Sequence, residues 1–305
     1  MDRRARECIV TLAPLVLDTD GSVGRLPGEV RLAITAKWRE AIRFGCARGK
    51  LEAFMKDLYE RMPAGAELGT VFLGSGDFHH LTWPLVRRCI EQGQHPRLRV
   101  VVLDNHPDNM LFPFGVHCGS WVHRVARLPQ VEQVHVIGIT SGDLGAAHAW
   151  EHHLGSLLRG KVTYWSTGVD TRWAKWLGVG KSFRSFPDRE SLVQAVSQAL
   201  ADDPLPTYLS IDKDVFATTE VRTNWDQGVL LRFDLHAIVQ SLRGQIVASD
   251  VTGDVSLWRY RTPWKRILSS ADGQHTSRRD PALAEWQRAQ NLFNGAILAL
   301  LQDAG

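Results

Sequence analysis

From Thr70 to Ala248 short apolar runs alternate with amphipathic stretches. The runs occupy 70–73, 99–103, 134–139, 162–165, 208–211 and 246–248. Between them lie helix-like segments near 81–92, 144–158, 190–200 and 233–243, and a last helix is expected from about 281 to 302. Two earlier segments, roughly 30–48 and 51–62, also have helical periodicity, the second through Leu51, Phe54, Met55, Leu58 and Tyr59. Uninterrupted apolar strands separated by helices predict a parallel sheet buried on both faces. The expected fold is therefore one α/β domain over residues 1–305, a three-layer α/β/α sandwich with a mostly parallel central sheet. No linker, repeat or low-complexity stretch divides it.

Open parallel sheets gather ligands outside the carboxyl ends of their strands, so the residues after each run matter most. Leu73 is followed by Gly-Ser-Gly-Asp-Phe-His-His (74–80), Leu103 by Asp-Asn-His-Pro-Asp (104–108), Ile211 by Asp-Lys-Asp (212–214), and Ala248 by Ser-Asp-Val-Thr-Gly-Asp (249–254). Four strand ends thus deliver acids and histidines to one sheet edge. So many carboxylates and imidazoles cannot converge unpaired in a poorly solvated cleft, because repulsion and desolvation would protonate or expel them. Divalent cations resolve the conflict. Asp/His ligation without thiolate points to Mn2+ or a similar first-row ion, and a cluster this rich to a pair of ions bridged by carboxylates.

Composition narrows the partners. The chain has 305 residues and a formal charge of +3, from 36 Lys+Arg against 33 Asp+Glu. Nucleic-acid binding is not expected without a concentrated basic face. No run of 18 apolar residues predicts a membrane span. The basic and then apolar N-terminus is interrupted by Pro14 and ended by Asp18 and Asp20, which fits a first β-strand better than a signal peptide. Cys8, Cys46, Cys89 and Cys118 lie far apart, so reduced thiols in the cytoplasm are expected.

GSGDFHH (74–80), DNHPD (104–108) and SIDKD (210–214) resemble, in order and spacing, the GGDH, DAHxD and SxDxD segments of the ureohydrolase family, the arginases and agmatinases. The resemblance runs from about residue 68 to the final helix and identifies the chain as a divergent member. It implies two divalent ions, Mn2+ first, with Ni2+ or Fe2+ as alternatives. The implied ligands are His79, Asp104, His106, Asp108, Asp212 and Asp214, with Asp104 and Asp212 bridging. The early histidine is ambiguous because Phe78 separates Asp77 from the pair; matching His-His-Leu-Thr (79–82) to the family favours His79, with His80 as the alternative. His117 resembles the family's proton-shuttling histidine.

The implied chemistry is attack of a metal-bridging hydroxide on a guanidino or amidino C–N bond, with Asp214 orienting the nucleophile and His117 protonating the leaving amine. The family's guanidinium-binding Glu falls on Gly253, and Asp254 is the displaced candidate for substrate binding. L-Arginine and agmatine are therefore expected to be poor substrates. The resemblance also implies a homo-oligomer, a trimer or hexamer. Two alternatives stand: an amidohydrolase of the same fold acting on another C–N bond, or a non-catalytic metal-binding member that serves as a binding partner. Elsewhere, His148 and His152 read as helix-surface residues, Gly178–Ser182 as a turn, and Arg259, Arg261, Lys265 and Arg266 as a solvated face.

Overall fold

The structure, a computed structural model, describes residues 12–62, 69–93, 95–271 and 282–304. Cys8 and the basic start of the chain lie outside them, as does residue 281, where the last helix was expected to begin. The strands are β1 (Leu15–Asp18), β2 (Val30–Ala33), β3 (Gly45–Cys46), β4 (Val71–Gly74), β5 (Leu98–Leu103), β6 (Val116–His117), β7 (Val131–Ile139), β8 (Val162–Thr167), β9 (Phe183–Phe186), β10 (Thr207–Asp212) and β11 (Ile246–Thr252). The helices are α1 (Ala36–Ile42), α2 (Arg48–Arg61), α3 (Thr82–Gly93), α4 (Val122–Ala126), α5 (Leu154–Leu158), α6 (Trp173–Trp176), α7 (Arg189–Asp202), α8 (Arg232–Ser241), α9 (Pro263–Ala271) and α10 (Leu283–Ala304).

Among the described residues nine strands form one sheet in the order β2-β1-β4-β11-β10-β5-β7-β8-β9, with every pairing parallel. β5 and β10 are buried along their whole length. Their side chains alternate between two cores, as strand geometry requires. Val100 and Val102 join the core that holds Leu51, Phe54 and Leu58 of α2, while Val101 and Leu103 join the one that holds Ile238 of α8 and Ile297 of α10. Helices therefore cover both faces, and the expected three-layer architecture is found.

Two expected helices are not single helices. The 30–48 segment holds β2, α1 and β3, and Phe44, at φ 64°, breaks helical continuation. The 144–158 segment is a pair of 3-10 stretches followed by α5. Its backbone pairs sideways instead: Leu111 N donates to Glu151 O (2.6 Å) and His153 N to Asn109 O (3.0 Å). Lys265 is not part of a solvated face; it is buried and caps the α1 end by donating to the carbonyls of Glu40 (2.6 Å) and Arg43 (2.7 Å). No helix among the described residues is long and apolar enough to cross a membrane.

Candidate metal centre

β4, β11, β10 and β5 are neighbours at the middle of the sheet, and all four run the same way. Their carboxyl ends meet at one place. β4 leads into a 3-10 helix (Gly76–Leu81) that carries His79; β5 is followed directly by Asp104; β10 ends on Asp212, and the next turn presents Asp214. A cavity of about 800 Å³ opens over them, lined also by Phe44, Phe112, His117 and Trp225.

Two overlapping ligand sets result: His79, Asp104 and Asp212 form one, and Asp104, His106 and Asp214 the other, with the ligand atoms of each within 4.8 Å of one another. Asp104 belongs to both. His79 Nδ1 lies 2.9 Å from Asp108 Oδ2, 3.2 Å from Asp104 Oδ2 and 3.4 Å from Asp212 Oδ2. His106 Nδ1 lies 3.0 Å from Asp214 Oδ2 and 3.5 Å from Asp104 Oδ1.

Each imidazole is oriented from behind. His79 Nε2 meets Ser210 Oγ at 3.0 Å; that hydroxyl donates to Asp250 Oδ1 at 2.7 Å, so it accepts from the imidazole. Tyr208 holds the other Asp250 oxygen at 2.6 Å. His106 Nε2 meets Asp226 Oδ1 at 2.7 Å. Both histidines thus carry Nε2–H outward and turn the Nδ1 lone pair inward, the arrangement that suits metal ligation. The main chain supports the acids as well: His106 N donates to Asp104 Oδ1 (2.7 Å), Asp214 N to Asp212 Oδ1 (3.1 Å) and Asn105 N to Asp214 Oδ1 (3.1 Å). Asp108 sits at φ 45°, a strained value for a non-glycine residue, and Trp121 Nε1 donates to its Oδ2 at 2.6 Å.

The electrostatics match this crowding. Burial raises the Asp108 and Asp214 carboxyls to about 7, with Asp104 adding repulsion, and raises Asp212 well above the usual carboxylate range. Burial alone would lower His79 and His106, but the facing carboxylates outweigh it and hold both well above 6.5. Asp104 is held low, since His106 and His79 overcome its burial. Without a cation such a cluster must trap protons between its ligands. Asp104 Oδ2 is buried and has only His79 Nδ1 facing it, at 3.2 Å. A donor set of inward imidazole nitrogens and crowded carboxylates that share Asp104 fits divalent cations.

His79 turns Nδ1 to Asp104, Asp108 and Asp212 and lines the cavity, whereas His80 is buried away from the cavity lining. Burial pushes it down to about 3. His117 lines the cavity. Its Nδ1 accepts from Gly119 N (2.9 Å), which leaves the proton on Nε2, and burial pushes the ring down to about 4, so it is neutral at pH 7.

Asp254 is not where a substrate ligand was expected. It does not line the cavity; it is fully buried and pairs with Lys213 Nζ at 2.9 Å. Gly253 sits at φ 91°, and a Cβ there would lie 2.6 Å from Asp212 Oδ1 and 2.8 Å from Lys213 N. This backbone has no room for the acid that the family resemblance places at 253.

One residue of the site was missed in the sequence. Asp226 is exposed and follows no strand, so only its Asp-Gln-Gly turn texture marked it. His148, read as a surface residue, lies at the cavity mouth and pairs with Glu151 at 3.0 Å. His152 is buried and donates to Asp143 O at 3.1 Å.

No family model matches the chain. An uncharacterized protein of Thermotoga maritima is 24% identical over 208 residues, 67% of each chain. Among solved structures, proclavaminate amidino hydrolase from Streptomyces clavuligerus superposes with a TM-score of 0.51 at 16% identity, over 97% of this chain and 93% of its own. Agmatine ureohydrolase of Thermoplasma volcanium gives 0.51 at 12% identity, over 96% and 90%. A Trypanosoma cruzi formiminoglutamase variant, solved with Mn2+, gives 0.50 at 13%, over 99% and 96%. The chain has the arginase fold. This fold is the one that the three-motif resemblance implies.

Proposed function

We propose that the chain is a divergent ureohydrolase, a binuclear metal-dependent hydrolase of a guanidino or amidino C–N bond. The observation that carries this is the pair of overlapping ligand sets that share Asp104 at the carboxyl ends of neighbouring strands. In this reading His79, Asp104, His106, Asp108, Asp212 and Asp214 would hold the ions, with Asp104 common to both ligand sets. Mn2+ is the first choice, supported by the metal in the formiminoglutamase structure and by the oxygen-rich donor set. When bound, the ions lower the pKa of water and so supply a nucleophile near neutral pH.

The protein's own groups do the rest. Asp214, fixed by Asn105 N and facing His106, orients the attacking water. The Phe44, Phe112 and Trp225 rings form apolar walls against which a planar cationic group can lie. His117, neutral and with Nδ1 held by Gly119 N, can donate an Nε2–H hydrogen bond to the leaving amine, whose proton would come from the attacking water by way of the Asp214 carboxylate. With Gly253 bare and Asp254 buried, no carboxylate from this strand end grips a guanidinium. L-Arginine and agmatine are accordingly poor substrates in this reading, and a different guanidino or amidino compound is preferred.

The test is metal analysis of purified protein, then release of urea or ammonia from a panel of guanidines and amidines. Two ions per chain with metal-dependent release are expected. A single tightly held zinc, or no release from any compound by fully loaded protein, refutes the proposal.

A further inference from the structure

Helix α10 packs Phe293, Ile297 and Leu298 into one core, yet the same buried side carries Gln290 and Asn294, one turn apart and fully buried. Such surroundings penalise unpaired polar atoms, and apart from Gln290 Oε1 the polar atoms of these two amides are paired. Gln290 Nε2 donates to the carbonyls of Gly253 (3.0 Å) and Arg222. Asn294 Oδ1 accepts from Lys213 Nζ (2.8 Å), and its Nδ2 donates to Asp254 Oδ1 (2.9 Å). Lys213 Nζ meets the same Asp254 oxygen at 2.9 Å, and neither side chain is exposed. Lys213, Asp254 and Asn294 thus close a ring of three contacts.

The ring reaches two of the segments that carry the centre, the 212–214 turn and the end of β4. Lys213 stands between Asp212 and Asp214, so its main chain sets how far apart those carboxylates lie. Asp254 N donates to Gly74 O (3.0 Å), just ahead of the turn that bears His79. Stability alone is a weak reason for such a device, because desolvation of two buried charges offsets most of their attraction and apolar residues of similar volume would pack as well. An ion pair bound to a third group adds direction: it fixes Nζ at set points and with it the turn.

We propose that Lys213, Asp254 and Asn294 are positioning residues that set the spacing of Asp212 and Asp214 for metal binding, tying the centre to α10 from behind. This rests on the metal-centre reading above.

The experiment compares full-length wild type with Lys213→Met, Asp254→Leu and the double variant, measuring metal-free Tm and Mn2+ affinity by titration calorimetry. Asp254→Leu strands a buried cation and should lower Tm, and the double variant should recover most of that loss. Mn2+ should nonetheless bind the double variant at least about tenfold more weakly than wild type, the scale of lost ligand support. A double variant with recovered Tm and wild-type Kd overturns the proposal and leaves the metal centre standing. If the double variant does not fold, Asn294→Ala carries the test, since it keeps the ion pair but cuts its tie to α10; unchanged Mn2+ affinity there is again the overturning result. Wild type that takes up no Mn2+ overturns the metal-centre reading itself, and this proposal with it.

Discussion

Alanine at Gly253 is the smallest change that tests how tightly this strand end is built against the centre. Its φ of 91° strains any residue with a Cβ, at about 1–2 kcal/mol relative to glycine. The added Cβ would also lie 2.6 Å from Asp212 Oδ1, 2.8 Å from Lys213 N and 3.0 Å from Lys213 Cβ. A carboxylate can swing away from such a contact; a backbone nitrogen cannot. Forced overpacking of this kind costs about 1–3 kcal/mol more, giving a total of roughly 2–5 kcal/mol. At roughly 2–4 °C per kcal/mol, calorimetry on metal-free protein should show a Tm loss on the order of 10 °C. The swing of Asp212 should also reduce Mn2+ content after reconstitution. Gly253→Glu carries the same penalties and should not create arginine hydrolysis. A Gly253→Ala protein with wild-type Tm and full metal loading would refute the described backbone at 253.

Ser210→Ala removes the hydroxyl that accepts from His79 Nε2 and donates to Asp250; Mn2+ affinity by calorimetry should fall about 10–100-fold, and an unchanged value would detach this pair from the centre. Asp104→Ala should weaken both ions together, since both ligand sets use that residue; one ion retained at wild-type affinity, seen by metal analysis, would exclude bridging. His117→Ala removes the Nε2–H donor and should cut turnover of the best panel compound by roughly 10-fold with metal content intact, the scale of one lost hydrogen bond. Because burial holds His117 down to about 4, its titration should leave no limb in the wild-type rate profile between pH 5 and 8.

Sequence reading worked best where the signal was local. The 99–103 and 208–211 runs are buried on both faces, so they read as continuous apolar strands, and the acids that follow them belong to the same short segments. β2 was lost because it is a half-exposed edge strand whose Val30 and Ile34 also fit helical spacing. The break in 144–158 depends on hydrogen bonds to residues 109–111, which no window around 150 contains. Lys265 looked solvated among Arg259, Arg261 and Arg266, yet three carbonyls at the end of α1 take its charge indoors. Asp254 failed for a related reason. Gly253 turns the chain at φ 91° and delivers the next residue to Lys213 and α10, so adjacency along the chain was not adjacency at the site.

The same crowding that marks the centre makes its stability depend on pH in opposite ways with and without metal. In metal-free protein Asp108 and Asp214 titrate near 7 and Asp212 is also raised, while the unfolded chain protonates its aspartates near 3.8. From about pH 4 to 7 the folded state therefore holds more protons, and its stability falls as pH rises. His79 and His106, raised above 6.5, contribute fully below that value and lose their contribution as pH climbs toward their folded values. Asp104 is lowered, so its contribution is already complete above 3.8 and changes nothing in this window. Cations compete with these protons for the same lone pairs, so metal affinity rises with pH, and the loaded protein gains stability in proportion to RT ln(1 + [L]/Kd). Calorimetry in excess Mn2+ and in chelator should accordingly show a Tm gap that widens from pH 5 to pH 8. A gap that stays constant or narrows would mean that these carboxylates and imidazoles are not the groups that hold the ions.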